Sequence, residues 1–276
     1  MNTPERDMLN KEWSTAIEGF LVYDRALGKR STTNSARRQH LQHLARRVTV
    51  GPWVVTGDVL IDYLGAQEWA QETRRGRRTS FDRFYRWAIY RGFVHTNPVD
   101  AVDKVRMSQG APRPAPDRAY HEALMRATPR ERIMLRLAAE VGMRRGEVAV
   151  AHTRDVMEDL VGRSLVVHGK GGRTRIVPLP DSLGRTLAAC PEGYVFPGND
   201  AGHLSPRYVG KLIRDLLPDQ WTMHTLRHRF ATRLYAHTRD LLGVQGMLGH
   251  ATPTTTRRYV QWDTAKMRAA VDELAG

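Results

Sequence analysis

The chain carries a single cysteine, Cys190, in 276 residues. That excludes an internal disulfide framework and leaves too few thiolates for a cysteine-based metal site. Cys190 reads as a small helix residue. No apolar run approaches the roughly 20 residues that a membrane helix requires. The opening stretch Met1-Asn2-Thr3-Pro4-Glu5-Arg6-Asp7 holds no apolar signal segment. The expected compartment is the bacterial cytoplasm, or the host cytoplasm if the gene is viral. Internal repeats and low-complexity tracts are also missing. Acid is in short supply: 29 Asp and Glu face 43 Lys and Arg, a net charge of +14. Arginine dominates that excess, and its planar fork pairs bidentately with phosphate oxygens. A nucleic acid is therefore favoured as partner over a membrane surface, for which no amphipathic anchor is visible. The 41% of hydrophobic residues suits an ordinary globular protein.

The length is comfortable for two domains. Pro112-Arg113-Pro114-Ala115-Pro116, flanked by Ser108, Gln109 and Gly110, forbids a helix and marks a linker over 106–117. Residues 1–105 read as helices only. Trp13, Ile17, Phe20 and Leu21 share one helical face, which Gly28 closes. Leu41, Leu44 and Val48 mark a second helix, with Arg37, Arg38, Arg46 and Arg47 on its other faces. Thr56 is placed to cap a third, around Leu60, Tyr63 and Leu64. A fourth carries Phe81, Phe84, Tyr85 and Ala88 and stops at Gly92. The run Arg74-Arg75-Gly76-Arg77-Arg78 is expected just before that helix, with a role on the DNA backbone rather than on a merely solvated face.

Residues 118–276 read as mostly helical with one strand island. Thr128-Pro129 starts a helix whose apolar stripe is Met134, Leu137, Ala138 and Val141, closed by Gly142. Leu165–Val167 and Arg173–Val177 read as strands joined by the tight turn Gly169-Lys170-Gly171-Gly172. Ser205-Pro206 opens a helix over Tyr208–Leu217, and helices follow at about 224–237 and 239–248, with a last pair flanking Tyr259.

Four pieces carry chemistry. Gly142-Met143-Arg144-Arg145-Gly146-Glu147 puts an arginine where one helix ends and another begins. Lys170 sits at the hairpin tip. His224-Thr225-Leu226-Arg227-His228 places a His and an Arg three apart, on one helical face. Leu248-Gly249-His250 is followed nine residues later by Tyr259. Together they suit phosphoryl transfer. Two arginines clamp the non-bridging oxygens of a phosphodiester as charge develops there. A phenol, with its ordinary pKa near 10, needs a base or a positive field to attack. A lysine protonates a leaving alkoxide, and histidine suits proton shuttling. No metal or other cofactor is required. Taken singly, each piece has a plain alternative: a surface ion pair, a solvated turn lysine, a helix cap, one tyrosine among nine. His224 and His228 at i, i+4 also suggest zinc, but no glutamate follows His224 as a metalloprotease helix would require.

In order and spacing these pieces resemble the tyrosine recombinase family, also called the phage integrase or lambda-integrase family. The likeness covers 118–262 through motifs and 8–100 more loosely. It implies a mainly α protein. Its N-terminal part would be a helical core-type DNA-binding domain of SAM-like bundle type. Its catalytic domain would be mostly helical with a small antiparallel sheet. It also implies the catalytic set Arg144, Lys170, His224, Arg227, His250 and Tyr259, with Tyr259 as nucleophile. Val141 and Met143 depart from the family's usual threonine and leucine as conservative packing changes. Arg145 competes with Arg144, and the register of Glu147 favours Arg144. One core-binding domain accounts for the first 105 residues, so no separate arm-binding domain is expected.

The resemblance further implies cleavage of duplex DNA through a 3′-phosphotyrosyl intermediate, without metal or nucleotide. A homotetramer would synapse two core-type attachment sites and pass through a Holliday junction, with a possible accessory excision factor. The tail Asp263–Leu274 would form an amphipathic helix packing on its own or a neighbouring protomer. Integration and excision of a phage or mobile element is the leading use. A Xer-like recombinase resolving chromosome dimers is the closest rival, and a catalytically silent DNA-binding protein is a third reading.

Overall fold

The computed structural model describes residues 3–105, 113–169, 172–218 and 220–249, with side chains described from Lys11 onward. The chain divides into two compact units, Met1–Gly110 and Ala111–Gly276. The molecule is mainly helical with one small antiparallel sheet, as the resemblance implies. Among the described residues no helix is long and apolar enough to cross a membrane.

The first unit holds α1 (Thr3–Ala26), α2 (Ser31–Ala45), α3 (Gly57–Gly65) and α4 (Gln71–Tyr90), then a 3-10 turn at Pro98–Ala101. The expected apolar stripes meet in one core: Trp13, Phe20 and Leu21 pack with Leu41, Leu44, Leu60, Phe81, Phe84 and Tyr85. Thr56 caps α3 by accepting the Val59 N–H. The arginine run differs from expectation. It lies inside α4, because arginine is a good helix former and the four arginines outweigh the single Gly76. Arg74 donates to the Leu64 and Gln67 carbonyls at 2.7 and 2.8 Å, closing the end of α3. Arg78 donates to the Val99 and Val102 carbonyls, and Arg77 lies 4.1 Å over the Trp69 ring. Arg37 pairs with buried Asp24. These guanidiniums therefore serve the unit's own folding, since exposed carbonyls at helix ends need donors.

In the second unit the described residues begin with 113–116, whose Ala115 is buried and donates its N–H to the Thr225 carbonyl at 3.0 Å. Next come α5 (Asp117–Arg126), α6 (Pro129–Ala139), α7 (Arg145–Ala149), β1 (Val156–Asp159), β2 (Gly162–His168), β3 (Thr174–Pro178), α8 (Asp181–Ala188), β4 (Pro197–Asp200), α9 (Pro206–Leu216), α10 (Met223–Thr238) and α11 (Leu241–Leu248). The sheet runs β1-β2-β3, antiparallel throughout, with Val156 opposite Leu165 and Leu165 opposite Val177. Strand β1 was not expected: it is short, acidic and largely exposed, so no alternation reveals it. Thr128 forms a full capping box with Glu131 at the start of α6. Its stripe packs under α10, burying Met134, Leu137 and Ala138. The expected helices flanking Tyr259, and the tail helix, lie outside the described residues.

Gly142 ends the α6 segment with φ of +74°, and an added Cβ would run into the Phe230 ring, 2.7 Å from its Cε1. Gly142→Ala is therefore expected to cost about 2–4 kcal/mol, from left-handed backbone strain plus overpacking. Urea unfolding checks this: an unchanged midpoint would mean that the turn tolerates a side chain.

Candidate active site

The turn after α6 delivers Arg144 as the residue before α7. Its backbone N–H donates to Glu147 Oε2 at 2.8 Å and its Nη1 to Glu147 Oε1 at 2.7 Å. Nη2 reaches the Gly249 carbonyl at 3.3 Å. About 39% of the Arg144 side chain stays open, enough for a ligand to meet the guanidinium. Arg145, the competitor in the sequence, instead lays its stem along α9 at Gly210.

Arg227 comes from α10, at whose start the Thr222 backbone N–H donates to Thr225 Oγ1 at 2.9 Å. It is 2% exposed, an unusual state for an arginine. Its guanidinium donates to the Gly142 carbonyl and, at 2.6 Å, to the Leu248 carbonyl, while Nη1 lies 3.8 Å from Glu147 Oε2. Arg227 thus ties the α6–α7 turn to the end of α11. His224 lies one turn earlier and keeps an open edge. Its ring is nonetheless desolvated, and that effect, then the Arg227 and Arg144 charges, lower its pKa. The ring is accordingly neutral near pH 7. His224 Nε2 and His228 Nε2 are 2.8 Å apart, so one donates and the other accepts.

Glu147 anchors both arginines. Burial alone would raise its carboxyl, but hydrogen bonds from Arg175 and from the Arg144 backbone, with the Arg175 charge, hold it below the usual glutamate range. The carboxylate is 5% exposed and stays ionised. It marks the register of Arg144 in sequence. Arg175 gave no such signal, because a single arginine in a strand reads as an outward-facing residue.

Arg144, His224 and Arg227 line one cleft of about 1020 Å³ with Arg145, Arg207, Lys211 and Arg214. Among the described residues that lining holds six arginine and lysine side chains and no carboxylate. Arg207, Lys211 and Arg214 lie at i, i+4 and i+7 on α9, opposite buried Val209 and Ile213. The spacing was legible, but which face of α9 borders the arginine pair was not. Of the remaining expected site residues, Lys170, His250 and Tyr259 lie outside the described residues. Gly169 and Gly249, their chain neighbours, are described: Gly169 closes the β2–β3 hairpin on the Arg173 carbonyl, and Gly249 ends α11 with φ of +60°.

Among the described residues, two arginines beside one carboxylate, a neutral histidine and a lining without acid are groups that can hold a phosphodiester anion. Comparison with known proteins identifies the family. The phage integrase family matches residues 118–266. Tyrosine recombinase XerC of Methylobacterium sp. (strain 4-46) is 33% identical over 221 residues, 70% of this chain and 68% of that protein. XerC of Rhodospirillum centenum (strain ATCC 51521 / SW) is 33% identical over 222 residues, 72% of this chain and 64% of that protein. The chain thus spans about two thirds of the length of these relatives. In fold, the chain is similar to a lambda integrase dimer bound to a COC' core site, with a TM-score of 0.73 at 19% identity over 95% of this chain and 83% of that one. The chain belongs to the phage integrase family of tyrosine recombinases, enzymes that cleave and rejoin DNA strands.

Proposed function

We propose that this chain is a site-specific integrase that inserts and excises a phage or other mobile element at core-type attachment sites. The observation that carries this reading is the convergence of Arg144, His224 and Arg227 on one basic cleft whose described lining holds no carboxylate. In the reaction, the Tyr259 oxygen attacks the scissile phosphorus as its proton passes to His224. The bond to the 5′-oxygen breaks, Lys170 supplies that oxygen with a proton, and a 3′-phosphotyrosyl bond remains. Arg144, Arg227 and His250 hold the non-bridging oxygens. The phosphotyrosine conserves the bond energy, so rejoining is the reverse attack by a 5′-hydroxyl and needs neither nucleotide nor metal. Residues 1–105 would grip duplex DNA as the core-type domain, 106–117 would link, and 118–276 would catalyse. Four copies would synapse two sites in the cytoplasm, with an accessory factor setting direction.

The XerC relatives favour a second reading, resolution of replicon dimers. A plasmid assay separates them. Integration between two different sites from the DNA flanking the gene supports the first. Activity confined to two copies of one chromosomal site supports the second and overturns the first.

The α9 stripe supplies phosphate contacts in this reading. Lys211→Ala and Arg214→Ala should each weaken duplex binding across all sequences and lower the salt slope of log K by about one. Arg214 faces exposed Asp215 at 3.6 Å, a weak competitor for a phosphate. Salt titration of binding checks this; an unchanged slope in both variants would take DNA off this face.

A further inference from the structure

Arg175 stands outside the cleft lining, yet it connects the parts that build it. From β3 its Nη1 and Nη2 donate to Glu147 Oε1 and Oε2 at 3.0 and 2.8 Å, and its Nε donates to the Met247 carbonyl at 2.8 Å. The side chain is 11% exposed, and these donors face the protein. Its stem lies under Gly249, where an added Cβ would stand 3.1 Å from Arg175 Cδ. We propose that Arg175 is a positioning residue for strand cleavage: it fixes the Glu147 carboxylate that orients Arg144 and locks that carboxylate to the end of α11. The inference rests on the reading that Arg144 and Arg227 hold the scissile phosphate.

The physical reason is the setting of Glu147. Its carboxylate is faced by Arg144 from the start of α7, Arg175 from β3 and Arg227 from α10. Burial opposes its ionisation, and the two parallel bonds from Arg175 oppose burial. Without Arg175 the carboxyl would take up a proton at higher pH, and a neutral carboxyl no longer orients a guanidinium by charge. Lysine at 175 restores a charge but not the fork, because one ammonium cannot serve two carboxylate oxygens and the Met247 carbonyl together.

The test uses the full chain and nicked duplexes tiled across the DNA flanking the gene, with single-turnover formation of the covalent adduct followed from about pH 4 to about pH 9, a span that includes the carboxylate range. Arg175→Gln is expected to slow cleavage about 10²-fold, the scale of a roughly 1 Å misplacement at a reacting centre. Arg175→Lys should recover part of that loss. Duplex affinity should stay within about three-fold, because Arg175 faces away from the cleft. The acid limb of the cleavage profile should move up by about one pH unit, the scale of losing an arginine beside a carboxylate. A purely structural defect would lower the rate equally at every pH. A limb that stays in place in both variants, or affinity that falls in step with cleavage, overturns the inference. If Arg175→Gln does not fold, Arg175→Lys and its pH profile decide. If the unaltered protein forms no adduct on any duplex, the reading of the site fails, and the inference with it.

Discussion

Tyr259→Phe is expected to abolish the covalent protein–DNA adduct completely. The substitution removes the one oxygen that would bond to phosphorus and leaves the ring in place. The cleft's described lining also holds the Tyr208, Ser205 and Thr222 hydroxyls, so an adduct that survives in the Tyr259→Phe variant would point to one of these as the nucleophile. Binding of duplex DNA should change by no more than about two-fold, since the phenol oxygen is engaged in the transition state rather than in ground-state recognition. Denaturing gels of nicked duplex incubated with the variant give the answer. An adduct formed by the Tyr259→Phe variant would remove Tyr259 as nucleophile. Loss of binding with the adduct would make the residue structural.

Arg227→Ala comes second in size and acts on two quantities at once. Cleavage should fall at least about 10²-fold, the scale of losing one preorganised donor to a developing oxyanion. Stability should fall too, by about 3 kcal/mol, because the buried Gly142 and Leu248 carbonyls lose their guanidinium donors and Glu147 loses a nearby cation. The two effects separate by temperature. Well below its lowered unfolding midpoint the variant is folded, and only the catalytic loss remains. Near-normal cleavage there would remove Arg227 from phosphate binding, and an unchanged midpoint would contradict its packing role. Arg144→Ala makes a useful contrast. Arg144 is far more open than Arg227, so its loss should reduce cleavage with a smaller change in stability.

The contrast between these arginines shows how far local spacing carries. Arg144 and Arg227 were chosen from short motifs, and the described part of the site brings both onto one cleft. Their motif spacing is local: Glu147 is three residues from Arg144, and His224 is three from Arg227, so one helical turn sets each pair. Arginines without such a partner were less legible. Arg74, Arg77 and Arg78 looked like a DNA-facing cluster, yet their donors go to Leu64, Gln67, Val99 and Val102 and to the face of Trp69. Arg175 was overlooked for the opposite reason. Its carboxylate partner is 28 residues away and its carbonyl partner 72.

Read alone, the sequence determined the family, the helical character of both parts, the capped starts of α3, α6 and α9, and the identity of the residues expected to react. Each is set within a few residues by periodicity, capping or motif spacing. Only the tertiary structure decided which arginines are open to a ligand and which are held by the protein itself. It buried Glu147 among Arg144, Arg175 and Arg227, and it turned the Arg207–Lys211–Arg214 face of α9 toward the same cleft. The reason is that an arginine's role follows from the acceptors within reach of its fork, and folding alone brings distant carbonyls and carboxylates there.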